Sequence, residues 1–340
     1  MKIFIKEIAY ALPEKVLTNE DLAKIYPEWT AEDIKKKTGI SSRHIVSDGE
    51  HASDLAEKAT KDLFAKSDLK PEDVDFVILI TESPDYILPP TACILQDKLG
   101  IPRSAGAFDI NLGCSGYIYG LAVSKGLITA GVAKNILLLT ADTSSKYINP
   151  NDKSTRTLFG DAATATWVST TGKFEIGSFD LGTDGGGYNS LIVPAGGSRL
   201  PISPETAVEQ VDENGYTRNQ QNLYMDGAGI FNFTLEVVPK TVSNVLEKNA
   251  VTDENIGLYI FHQANQYMLN CLRRKLKIDA DRFYINMEDV GNTVSATIPI
   301  AIKRNLEDGT MPTLGNIVLT AFGVGLSWGS VVLRIEESDK

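Results

Sequence analysis

Residues 135–142 read NILLLTAD, and half a chain later residues 316–323 read NIVLTAFG. Each is a short apolar run rich in branched side chains, the pattern of a strand buried on both faces. The pair has company. KLGI (98–101) precedes FDIN (108–111), and KLKI (275–278) precedes FYIN (283–286), in the same order and at nearly the same offset. A repeat at half the chain length implies a duplicated structural unit. Strand and helix signals alternate around it. MKIFIKEIAYALP (1–13) reads as a first strand ending at a turn, and VDFVILIT (74–81) as a buried strand. HASDLAEKATKDLFAKS (51–67) is a helix, with Leu55, Ala56, Ala59 and Leu63 on one stripe. FNFTLEVVPKTVSNVLEKN (231–249) is helical too, although Pro239 should kink or break it. Such alternation predicts α/β layers, with helices covering sheets.

The 340 residues are 43% hydrophobic and 23% charged, as in a soluble globular protein of one large or two ordinary domains. No apolar run approaches the about 18 residues that would mark a membrane span, and the start lacks the apolar region of a signal peptide. A net charge of −11 disfavours nucleic acid and anionic membranes as partners. Cys93, Cys114 and Cys271 are far apart and form no CxxC pair. That spacing argues against a disulfide framework or structural zinc and fits a reducing cytoplasm. The polar segment 198–222 reads as an insertion or flexible loop over a binding site. DGGGYNS (184–190) lacks the spacing of a nucleotide loop and reads as a turn.

The repeat also aligns polar residues. After FDIN comes GCSG with Cys114, and after FYIN comes EDVGNTVSA with Asn292. After the strand LYIF comes His262, and after VILI comes Glu82. Each side chain stands just past a strand end, where α/β folds build their sites. Cys114 precedes the helical pattern YIYGLAVSKGLITAG, whose N-terminus favours a thiolate. Taken singly, each has a plainer reading: a buried structural cysteine, a hydrogen-bonded core histidine, a turn asparagine.

Six segments, in order, resemble the β-ketoacyl-acyl-carrier-protein synthase III family. KTGISSRHI (37–45) is similar to a stretch near that family's N-terminus, GCSGYIYGLA to its nucleophile motif, and FGDAATA (159–165) to its FGD segment. FHQAN (261–265), VGNTVSATIP (290–299) and AFGVGLSWGS (321–330) resemble its remaining motifs. The resemblance implies a thiolase-like, duplicated five-layer αβαβα fold, divided here into residues 1–172 with the nucleophile and 173–340 with His262 and Asn292. It implies a homodimer with no metal or organic cofactor. Its expected chemistry is acyl transfer to Cys114, then decarboxylative condensation with malonyl-acyl-carrier protein assisted by His262 and Asn292. The backbone N–H groups of Cys114 and Val324 would form the oxyanion hole. Leu88 and Phe322 would belong to the acyl pocket, Leu88 by reaching across the dimer.

Some positions depart from the family pattern. Asp33, Lys153 and Tyr267 stand where acetyl-CoA-dependent members carry the tryptophan and arginines that hold adenine, so the acyl donor is expected to be a carrier-protein thioester or a CoA bound differently. LRRKLK (272–277), with Arg274 and Lys275, is a basic cluster suited to docking an acidic carrier protein. Glu82, in TES, resembles the catalytic glutamate of hydroxymethylglutaryl-CoA synthases. A condensation using Glu82 as general base, or an acyltransferase making esters or amides, are the alternative reactions.

Overall fold

The computed structural model describes residues 1–213 and 215–335. Ten of its strands form one sheet: β1 (Phe4–Ala11), β2 (Phe76–Ile80), β3 (Gly106–Ile110), β4 (Ile136–Asp142), β5 (Ala162–Ser169), β6 (Phe174–Thr183), β7 (Ile256–Phe261), β8 (Phe283–Tyr284), β9 (Gly315–Gly323) and β10 (Ser327–Ile335). Their spatial order is β3-β2-β4-β5-β1-β6-β10-β9-β7-β8. The first five and the last five follow the same path in mirror order. In each set three strands run parallel, a fourth is antiparallel to them, and the fifth is antiparallel to the fourth and so runs with the first three. The sets meet where β1 pairs with β6, Phe4 opposite Glu175. FDIN and FYIN fall on the two edge strands, and the NILLLTAD and NIVLTAFG segments lie third from each edge.

Strand side chains alternate between faces, so each buried strand feeds two cores. Val77 and Leu79 of β2, with Leu137 and Leu139 of β4, pack outward against α1 (Ala52–Lys66) and α2 (Thr91–Lys98). Ile78, Ile80 and Leu138 face inward instead, into a core shared with Ile260, Leu319 and Val331 of the second set. That central core holds α3 (Gly116–Thr129) and α6 (Thr297–Glu307), through Tyr117, Ile118, Leu121, Ile298 and Ile302. On the far side Val318 and Val332 pack against α4 (Gly227–Lys248) and α5 (Gln266–Lys275). The layers therefore run αβαβα, as the resemblance implied.

One expectation is corrected. α4 continues unbroken through Pro239. An internal proline costs about 3 kcal/mol. The helix buries Ile230, Val238, Val242 and Val245, each stabilising it by roughly 1.5–3 kcal/mol, so packing prevails. The polar segment 198–222 carries only short pairings, Gln210–Val211 with Thr217–Arg218. DGGGYNS forms a turn of 3-10 helix.

Candidate functional site

Cys114 sits in the turn between β3 and α3 and is buried. A side chain at Gly113 would run into the Glu82 carboxyl, and one at Gly323 would come within 2.8 Å of the Cys114 sulfur. Glycine at both positions lets the β9 terminus and the Glu82 loop close on the thiol. The backbone N–H groups of Val324 and Cys114 itself both point at Sγ. Burial, together with the negative potential of Glu82 and Asp142, nevertheless pushes the thiol well above its ordinary range. The helix terminus and those two donors are outweighed, so the resting group is a thiol and not the thiolate that the sequence position suggested.

Asn292 and His262 reach the same locus through shared neighbours. Val294 packs in one cluster with Cys114, Ile148 and Phe159. Its backbone φ is +54°, a strained left-handed conformation for a β-branched residue. The turn is held because Val294 N–H donates to Asn292 Oδ1 at 3.0 Å, while Ser295 donates N–H and O–H bonds to Asp142. With Oδ1 engaged, the Asn292 amide NH2 is left as the donor. His262 follows β7, is 1% exposed, and packs edge-on to Phe322 with ring centroids 5.6 Å apart. Its Nδ1 lies 2.7 Å from Thr297 Oγ1, leaving Nε2 free among the described residues. Burial pushes its pKa down to about 3, so the imidazole is neutral.

Sequence reasoning missed the supports of this site. Asp142, fully buried at the end of β4, accepts from Glu82 N–H at 2.8 Å and from Ser295, tying the two halves together. Arg43, also fully buried, donates to Leu17 O, Asn19 Oδ1 and Thr157 O. Its neighbours continue the stitching: Gly160 N–H donates to Asn292 O, and Asp161 N–H to His44 O. KTGISSRHI and FGDAATA thus act as buttresses of the Asn292 loop. The signal lay in the repeat, where Asp142 aligns with Phe322.

A cavity of about 670 Å³ opens onto Cys114 and is lined also by Glu82, Asn111, Ser144, Tyr147 and Val324. His262, Asn292 and Phe322 are buried outside its lining, and Leu88 does not line it either. Leu88 is 78% exposed, in an apolar projection with Tyr86 and Ile87. A second cavity of about 880 Å³ is lined by Trp29, Lys37, Arg218, Phe231 and Tyr267. Lys37 Nζ stands 3.6 Å over the Trp29 ring, and Tyr267 stacks on Phe231. Leu158 and Met225 line this cavity and also pack against the Cys114 cluster. Asp33 caps its own helix, accepting from Thr30 N–H at 2.9 Å. Lys153 pairs with Glu28 at 2.5 Å. Arg274 and Lys275 are exposed at the last turn of α5, whose first turn borders the second cavity.

Known proteins resemble this chain over nearly its whole length. Residues 108–185, which hold Cys114, match the family model for 3-oxoacyl-[acyl-carrier-protein] synthase III. Residues 246–335, which hold His262 and Asn292, match the C-terminal model of the same enzyme. A β-ketoacyl-[acyl-carrier-protein] synthase III of Caldanaerobacter subterraneus is 42% identical over 326 residues, covering 95% of each chain. A crystal structure of a 3-oxoacyl-(acyl-carrier-protein) synthase III superposes with a TM-score of 0.96 at 48% identity, covering 98% of this chain and 100% of the other. The corresponding synthase of Burkholderia xenovorans gives 0.90 at 37%, covering 98% and 94%.

Proposed function

This chain belongs to the 3-oxoacyl-[acyl-carrier-protein] synthase III family and is a condensing acyltransferase; we propose that Cys114, His262 and Asn292 carry its reaction. Cys114 Sγ attacks the carbonyl of an acyl thioester, held by CoA or a carrier protein, and the thiol proton leaves with the departing thiol. A malonyl-carrier-protein thioester then loses CO₂, and the electron pair moves onto its thioester oxygen. His262 Nε2–H and the Asn292 NH2 donate to that oxygen. The carbanion attacks the acyl carbonyl on Cys114, whose oxygen is received by the N–H groups of Cys114 and Val324. Collapse releases the β-ketoacyl thioester and the Cys114 thiolate, which takes a proton from water to restore the resting thiol. The observation carrying this reading is the pair of backbone donors aimed at Sγ, together with two neutral side-chain donors left without partners among the described residues. Neither ester or amide formation nor a condensation with Glu82 as base gains support from the relatives described.

Further parts of the reading rest on the same structure. The halves divide at residues 172 and 173, because β1–β5 precede that point and β6–β10 follow it. The working form is a homodimer: edge strand β3, GAFDI, carries neither proline nor lysine to guard its free edge, and exposed Tyr86, Ile87 and Leu88 stand in the loop that follows its neighbour β2. Leu88 would then enter the partner's acyl cavity. Trp29 with Lys37 offers a stacking and cationic surface for the donor's carrier group in place of the family's usual adenine contacts. Arg274 and Lys275 receive the acidic carrier protein, and the three unpaired thiols suit the cytoplasm.

The test is intact-mass analysis after exposure to a panel of acyl thioesters, followed by product analysis with malonyl-carrier protein. One acyl adduct on the wild type and none on Cys114→Ala is expected. Absence of an adduct at Cys114 with every donor would sink the proposal.

A further inference from the structure

The cavity beside Cys114 is walled mainly by apolar side chains, among them Leu112, Phe159 and Leu191, but it also carries polar groups that storage of a simple alkyl chain does not require. Apolar acyl groups are best received by apolar walls, since each unpartnered polar group they cover loses its water. Here the wall carries the Glu82 carboxyl, the Ser144 hydroxyl, the Tyr147 hydroxyl and the Asn111 amide. Ser144 is only 8% exposed. None of these four side chains has a hydrogen-bond partner among the described residues. Glu82 is held in place from behind: its backbone N–H donates to Asp142 at 2.8 Å, and its carboxyl fills the space beside Gly113, next to the nucleophile.

Resting on the acyl-enzyme reading above, we propose that the acyl group accepted by Cys114 carries an uncharged oxygen substituent within its first few carbons, which hydrogen-bonds to Glu82, Ser144 and Tyr147. The sign of the local charge narrows the class. Burial beside Asp142 already disfavours a charged carboxylate at this spot, so a dicarboxylic half-thioester is disfavoured too. Burial and the neighbouring Asp142 also push the Glu82 carboxyl above the ordinary carboxylate range. A protonated carboxyl donates one hydrogen bond and accepts another, which suits a hydroxyl. The same groups also raise the Tyr147 phenol, after its own burial, and keep it a donor. An alkyl chain of equal length would leave all of them dry and unpaired.

Acylation of Cys114 would be followed by intact mass with butyryl, 3-hydroxybutyryl and succinyl thioesters, each presented on CoA and on a carrier protein. Wild type is expected to favour 3-hydroxybutyryl over butyryl by about tenfold or more in kcat/KM, because a site built to bond a hydroxyl rejects the analogue that lacks it. Glu82→Ala should erase or invert that ratio, and Glu82→Gln, which keeps a donor and an acceptor, should retain most of it. Equal use of butyryl and 3-hydroxybutyryl by the wild type, or preference for succinyl, overturns the inference while leaving the acyl-enzyme intact. No adduct with any donor overturns both. The wild-type ratio decides alone should the alanine variant fail to fold.

Discussion

The Thr297 hydroxyl has one proton and two takers, His262 Nδ1 at 2.7 Å and the Val294 carbonyl at 3.1 Å. When it donates to Nδ1, the imidazole proton resides on Nε2, the nitrogen that donates to the forming enolate in the proposed reaction. Thr297 is therefore a positioning residue for His262. Thr297→Val should slow CO₂ release and condensation by about 10- to 100-fold. Acylation of Cys114, followed by single-turnover mass spectrometry, should stay within about twofold, because that step does not use the imidazole donor. Equal loss in both steps would reduce Thr297 to a packing role. Cys114, His262 and Asn292 stand out in the sequence because each lies inside a contiguous motif at a strand end. Thr297 and Asp142 do not. Asp142 gains its meaning from Glu82 and Ser295, partners 60 and 153 residues away, which only the folded chain brings together.

At the scale of elements, repeat and periodicity located the strands and helices well, since both faces of the central strands are apolar and leave a strong pattern. Pro239 misleads because its local geometry says nothing of the buried face that holds α4 together. The segment 198–222 reads as a loop over a site, and Tyr216 and Arg218 within it border the second cavity. α5 presents one element-scale expectation. Its first turn lines that cavity and its last turn exposes Arg274 and Lys275, so the helix can orient an acidic carrier toward the opening. Reversing both charges, Arg274→Glu with Lys275→Glu, should raise KM for malonyl-carrier protein by about tenfold at low salt, with the effect shrinking toward physiological ionic strength and above. Acylation by a small CoA thioester should be unchanged. A rise in KM for both substrates alike would argue against docking.

For the whole molecule, the five-plus-five order places both motif halves on one central helical layer, and Asp142 spans the seam between them. The edge of that sheet makes the assembly testable. Ile87, 90% exposed beside Leu88, should be covered by a second copy. Ile87→Asp is expected to halve the mass measured by light scattering at micromolar concentration. It should also alter the range of acyl chains that load Cys114, because Ile87 lines the cavity of its own chain and the partner's loop no longer closes it. A variant that stays dimeric would place the contact elsewhere.

The unguarded strand Gly106–Ile110 also ties chemistry to copy number. On the dimer proposed above, each cavity is finished by a neighbour's loop, so a subunit disabled at its own cysteine still shapes what its partner accepts. Mixing such a subunit with an active one would lower turnover per chain while leaving selectivity whole. Dilution below the dissociation constant of the pair would do the reverse, loosening selectivity in chains that keep their own Cys114.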